Sequence, residues 1–259
     1  MTASSPDPTT PRERLQSARR ELDRLAELER QYLDANPYRL RHAYDPRAGS
    51  YTVRAEVVRA IPPEVRDAIV NVLRDVRASL DALVTALASS VTSAKSPRFP
   101  IHESLPEFAQ RTRRPLAGLS DEAQATIEEL QPYHTFGGFH LDRLWLLREL
   151  TDHEPRLAAG GLRAESTLGV NTARHVEITG KLRVRAGAFE HEAVIVSVPA
   201  RVTGRDPKLD LFLKPGFELA FDAQGPARGG AVIATLGAIC DHVERAVIDR
   251  LESSPDVRG

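Results

Sequence analysis

One short stretch, RELTDHE at residues 148–154, gathers residue types that could do chemistry. Arg148 and His153 stand five apart, with Asp152 and Glu154 beside the histidine. Histidine titrates near neutrality and can move a proton in either direction. Arginine keeps its charge and grips phosphate with a planar fork of donors. The pair suits acid–base chemistry at a phosphate, with the guanidinium facing the charge that develops there. The same residues also fit a plainer role, Arg148 on the surface of a last helical turn and His153 as the cap that ends it.

Other catalytic signatures are missing from the sequence. It has no glycine-rich phosphate loop ending in Lys-Ser/Thr and no dinucleotide glycine fingerprint. It has no Gly-x-Ser-x-Gly elbow, no His-Glu-x-x-His and no paired cysteines. The 8 histidines are scattered, and His134 and His140 flank Gly137-Gly138 without the spacing of a ligand set. No metal and no other cofactor is therefore expected.

With 259 residues the chain can bury a substantial core, as one large domain or two small ones. A formal net charge of −1 and a sequence pI near 6.7 argue against general attraction to nucleic acid or an anionic membrane. The single cysteine, Cys240, cannot form an intrachain disulfide and falls on the apolar face of a helical pattern. That points to a packed thiol in a reducing, cytoplasmic compartment. No apolar run approaches the length of a bilayer, and MTASSPDPTTPRER lacks the apolar core of a secretion signal. A soluble protein without membrane contact is expected.

Any site needs a frame, and the centre of this one is the stretch 64–89. Val65, Ile69, Val72, Leu73, Val76, Leu80, Leu83, Val84 and Leu87 recur at three- and four-residue steps, the spacing of one helix face. The other flank carries Asn71, Arg74, Asp75, Arg77 and Asp81, too polar for a wholly buried face. Asn71, Arg74, Arg77 and Asp81 are the candidates to line a binding groove. Residues 11–35 form a second amphipathic helix, on which arginines alternate with Glu13, Glu21, Glu27 and Glu29 across a solvated, self-paired face. Between the two helices, 38–44 and 51–59 read as a β-hairpin, which brings the helices side by side and antiparallel. The long helices are also where a homodimer could form.

Shorter helices follow at 120–131, with Ser120 as N-cap, and at 139–152. Residues 1–10 are Ser/Thr/Pro-rich and expected to be disordered, and Arg111, Arg113 and Arg114 read as one solvated loop. After a small-residue linker at 158–161, β-branched and aromatic alternation over 162–223 predicts an antiparallel sheet of about four strands. A last amphipathic helix at 230–252 must return to the bundle or cover the sheet, since alone it could not bury its apolar face.

An arginine, four residues and a histidine, as in Arg148 and His153, resembles the minimal signature of HEPN-type ribonucleases, which are helical bundles. The resemblance implies metal-independent RNA cleavage in a site formed across a dimer. His153 would move the proton and Arg148 would stabilise the phosphate charge, with RNA as partner. A broader resemblance covers nearly the whole chain. NPYR, LRDVRASLDALV, FPIHESLPEF, LAGLSDEAQATIEELQPY and DRLWLLREL, in this order, look like a family of uncharacterised bacterial proteins, most of them actinobacterial. Over 73–83, Leu73, Arg77, Leu80, Asp81 and Leu83 match that family's pattern, while Arg74, Asp75 and Ala82 stand where it carries His, Asn and His. The departures fall on polar positions, which implies a groove lost or rewired here.

The expected fold is α+β: a helical bundle over 11–157 with an inserted hairpin, then a small antiparallel sheet and a closing helix over 158–259, packed as one unit. The first functional expectation is a non-enzymatic interaction or ligand-binding module. A ribonuclease or RNA-binding protein using Arg148 and His153 is the second, and a small-molecule site in a bundle–sheet cleft the third.

Overall fold

The computed structural model describes residues 10–88, 98–112, 116–162, 167–185, 187–205, 208–214 and 216–253. All of the 1–10 stretch except Thr10 lies outside the described residues, as do Arg113 and Arg114 of the basic cluster. In chain order come α1 (Pro11–Asp34), the hairpin strands β1 (Tyr38–Asp45) and β2 (Ser50–Val57), α2 (Pro63–Leu87), α3 (Leu105–Thr112), α4 (Asp121–Glu129) and α5 (Arg143–Asp152). Strands β3 (Leu157–Leu162), β4 (Thr167–Arg174), β5 (Val176–Ile178), β6 (Arg183–Val184), β7 (Gly187–Phe189), β8 (Glu192–Val202), β9 (Lys208–Lys214) and β10 (Phe217–Phe221) follow. Helices α6 (Val232–His242) and α7 (Asp249–Glu252), joined by a π-helical segment at Val243–Ile248, end the described chain. The fold is α+β. No helix among the described residues is long and apolar enough to cross a membrane.

The chain divides into two compact units that do not follow chain order. The helical unit takes Met1–Ala26, Glu64–Pro155 and Ile233–Gly259, and the sheet unit takes Glu27–Pro63 and Arg156–Val232. The hairpin, inserted in sequence between two long helices, thus belongs with the later strands, and the C-terminal helices belong with the bundle.

In the helical unit α2 buries the predicted stripe, Val65, Ile69, Val72, Leu73, Val76, Leu80, Leu83 and Val84. Helix α1 runs antiparallel to it: Asn71 Nδ2 donates to Glu21 Oε1 at 3.4 Å, and eight residues further along α2 Ser79 Oγ donates to the Pro11 carbonyl at 2.6 Å. The C-terminal helices meet α1 through ion pairs of Arg12 with Asp249 and Glu252, and of Arg19 with Asp241 and Glu244. Val243, Val247 and Leu251, spaced four residues apart, lie on one helical face and are all buried.

In the sheet unit β1, β2, β8 and β5 pair in that order, with β6 also on β8. Strands β10, β3 and β7 make a second sheet, and β4 pairs with β9. Val53 and Ala55 of β2 and Ile195, Val196, Val198 and Ala200 of β8 are buried together with Phe189. The expected linker at 158–161 lies inside a strand, β3. Its glycines answer to crowding: a Cβ at Gly160 would lie 2.8 Å from the rings of Tyr38 and Phe189. Small residues let an aromatic cluster pass over the backbone.

Glu29 departs from the solvated face predicted for α1. It is 8 % exposed, and its Oε1 accepts a 2.6 Å hydrogen bond from the Leu219 amide. The β10–β3 register slips between Glu218 and Ala220, so the ladder does not pair Leu219. The carboxylate supplies the acceptor that a buried amide requires.

Candidate functional site

Helix α5 carries the predicted pair. Asp142 caps its start, with Oδ1 accepting the Leu144 and Trp145 amides at 2.7 and 3.3 Å and Oδ2 the Thr135 hydroxyl at 2.7 Å. Leu144, Leu146, Leu147 and Leu150 are buried. Arg148 therefore leaves from the flank of α5, toward the Pro-punctuated connection before α3.

There its guanidinium meets two carboxylates and a carbonyl. It donates to Glu103 Oε1, to Glu149 Oε1 at 2.9 Å and to the Ile101 carbonyl at 3.2 Å. Burial works against the Arg148 charge, but the bonds to Glu149 and Glu103 outweigh it and raise the pKa. His153, by contrast, is the C-cap of α5, with 73 % of its side chain exposed. Its Nδ1 lies 3.2 Å from the Glu149 carbonyl and 3.8 Å from Glu149 Oε2. The two side chains enter different surroundings and have the Glu149 carboxylate in common. The donors that would grip a phosphate are already engaged by Glu103 and Glu149.

The α2 residues divide into two pairs with different partners. Asn71 reaches α1 through Glu21 and accepts from Arg74. Arg77 and Asp81 instead hold one residue between them: Arg77 Nη2 donates to the Phe99 carbonyl at 2.5 Å, and Asp81 Oδ1 accepts the Phe99 amide at 2.9 Å. The Phe99 ring is fully buried. Burial lowers the Arg77 pKa, against the attraction of Asp81 and Asp152 and with the repulsion of Arg98. Past the end of α5, Glu154 pairs with Arg66 of α2 at 3.6 Å, while Arg77 itself is committed to Phe99.

Sequence reasoning passed over the connection between α2 and α3, where these bonds converge. Glu103 Oε1 also accepts the Trp145 indole at 2.9 Å. His102 donates its amide to Gln131 Oε1 at 2.9 Å. Its ring Nδ1 is buried 3.4 Å from Glu107 Oε1, outside hydrogen-bonding geometry. Burial lowers the His102 pKa, opposed by Glu107 and aided by Arg111 and Arg148. The hydroxyl of Tyr133 is likewise buried without a partner among the described residues, and burial raises its pKa to about 12. A lone tryptophan and a histidine-glutamate pair between prolines were the available signals.

Phe136 also escaped notice. It is fully exposed at the tip of the 132–142 loop, between exposed His134 and the half-buried Phe139 and His140. Gly137 and Gly138 turn the loop at φ +88° and +111°, which side chains rarely adopt. Among the described residues, no three His, Cys, Asp or Glu side chains gather as a metal ion would require. The chain matches no protein-family model, no curated protein and no solved structure.

Proposed function

We propose that the chain is a non-enzymatic interaction module whose helical unit docks another protein through Phe136. One observation carries this reading: a fully exposed phenylalanine on a loop that is itself fixed. Thr135 Oγ1 bridges to Asp142 at 2.7 Å, and the Thr135, Gly138 and Asp142 amides donate to Pro132, Thr135 and Phe139 at 3.0–3.1 Å. Leaving such a ring in water forgoes about 2–3 kcal/mol of burial, and a loop already ordered loses little entropy when it binds. The partner's site is then an apolar pocket. Its rim is expected to be basic, because the helical unit carries 18 Lys and Arg against 23 Asp and Glu. The same charge disfavours an anionic lipid surface, for which a single ring is also a small anchor.

The ribonuclease reading rests on Arg148 and His153, and the two carboxylates at Arg148 weigh against it. Two measurements separate the readings. A photo-reactive residue at position 136 should cross-link one protein in cells, and Phe136→Ser should abolish that complex while Val70→Ser, altering another exposed apolar residue, should not. RNA cleavage that persists in EDTA and disappears in both Arg148→Ala and His153→Ala would overturn the proposal.

A further inference from the structure

We propose that β1 is the contact of a symmetric homodimer in which two sheet units join edge to edge. This rests on the sheet unit alone and is independent of the Phe136 reading. Strand β1 ends its sheet, and no described strand pairs with its outer side. An open edge of eight residues is a template for another strand. The sequence of the edge says which strand fits.

Val58 N donates to the Pro37 carbonyl at 2.8 Å. By the alternation of an antiparallel ladder, Arg39, Arg41, Ala43 and Asp45 then bond β2, while Leu40, His42 and Tyr44 turn their amides and carbonyls outward. A two-fold axis through His42 pairs His42 with its copy and Leu40 with Tyr44 of the other chain, closing about six backbone hydrogen bonds. In the same register Arg39 falls opposite Asp45 of the second copy, twice, and Arg41 opposite Ala43. These are the non-hydrogen-bonded positions, where side chains approach closest. Arg39 has no ion-pair partner among the described residues, and Asp45 uses Oδ1 for the turn amides of Arg47 and Ala48.

Charge matching is poorer in the neighbouring registers. An axis through Arg41 would set two guanidiniums face to face, and one through Ala43 would oppose Arg39 with Arg47 while offering Asp45 only Arg41, which already pairs with Glu56. Charges on an edge strand ordinarily repel a passing strand. Here the signs differ at the two ends, so an antiparallel copy of the same strand is the one that matches.

Proline offers a clean test. At position 42 it removes an outward amide and leaves the β1–β2 ladder whole, which an edge strand tolerates. Sedimentation over a wide concentration range should show a reversible dimer in the wild type. His42→Pro and Arg39→Asp should each weaken it at least tenfold, with thermal midpoints confirming that the variants fold. His42→Cys should oxidise to a disulfide-linked dimer, since facing residues sit within disulfide reach and native Cys240 is buried. A wild type that stays monomeric at every concentration would overturn the proposal, as would a dimer that persists in both His42→Pro and Arg39→Asp.

Discussion

Trp145 and Arg148 donate to the same atom, Oε1 of Glu103. One carboxylate thereby fastens the connection before α3 to a turn of α5. Replacing Glu103 with Ala leaves an indole N–H and part of a guanidinium without their acceptor in a half-buried place. The expected loss is about 1–3 kcal/mol, seen as a lower thermal midpoint together with a change in the emission of the single tryptophan. A Glu103→Ala protein with unchanged stability and emission would mean that the bridge is not formed in solution.

The clamp on Phe99 predicts a coupling. Arg77→Ala and Asp81→Ala each free one backbone group of the same buried residue, at about 1–2 kcal/mol apiece. Because both hold Phe99, the double variant should lose less than the two losses added together. Urea unfolding of the four proteins measures this directly. Arg74→Ala, whose partner Asn71 lies on its own helix, should stay within about 0.5 kcal/mol of wild type.

How far the sequence reaches can be judged from α2 and α5. The apolar stripe of α2 and the Ser120 cap were legible because helical spacing and capping are local: Ser120 Oγ does accept the Ala123 amide. The polar flank was legible as polar, but its purpose was not. Arg77 and Asp81 serve a backbone in a connection without period, and Arg148 serves a glutamate there. Gly160 read as a linker for the same reason, since Tyr38 and Phe189 arrive from other strands. Glu29 read as solvated because the slipped register that exposes the Leu219 amide leaves no mark in the local pattern.

Glu29 gives a prediction of its own. Glu29→Ala strands the Leu219 amide in a buried place and should cost about 1–3 kcal/mol. Glu29→Gln keeps an acceptor oxygen and should recover most of that loss. Hydrogen exchange at the Leu219 amide should accelerate in the alanine variant and not in the glutamine one. Equal exchange in both would remove the bond from the account.

Two histidines contribute to the acid side of the stability curve. Burial lowers the pKa of His102, and of His242, below the ordinary 6.5. As pH falls through that value the unfolded chain takes up protons that the folded one refuses, so stability present above it is lost below it. His102→Gln should therefore reduce the slope of unfolding free energy between pH 7 and 5, by at most about 1.4 kcal/mol per pH unit. An unchanged slope would place His102 in contact with water.

Cys240 does the converse on the alkaline side. Its thiol is buried on α6, and burial raises the pKa from 9.0 to about 11. Below 9.0 neither state ionises and the thiol contributes nothing to pH dependence. Between 9.0 and about 11 the unfolded chain releases a proton that the folded one keeps, so stability falls as pH rises through this window. Cys240→Ala should lose stability more slowly over that range. At pH 8 a thiol reagent should modify the wild type only as fast as the helical unit opens, and at once in denaturant. Rapid modification of the native protein would show that α6 does not hold Cys240 against its neighbours.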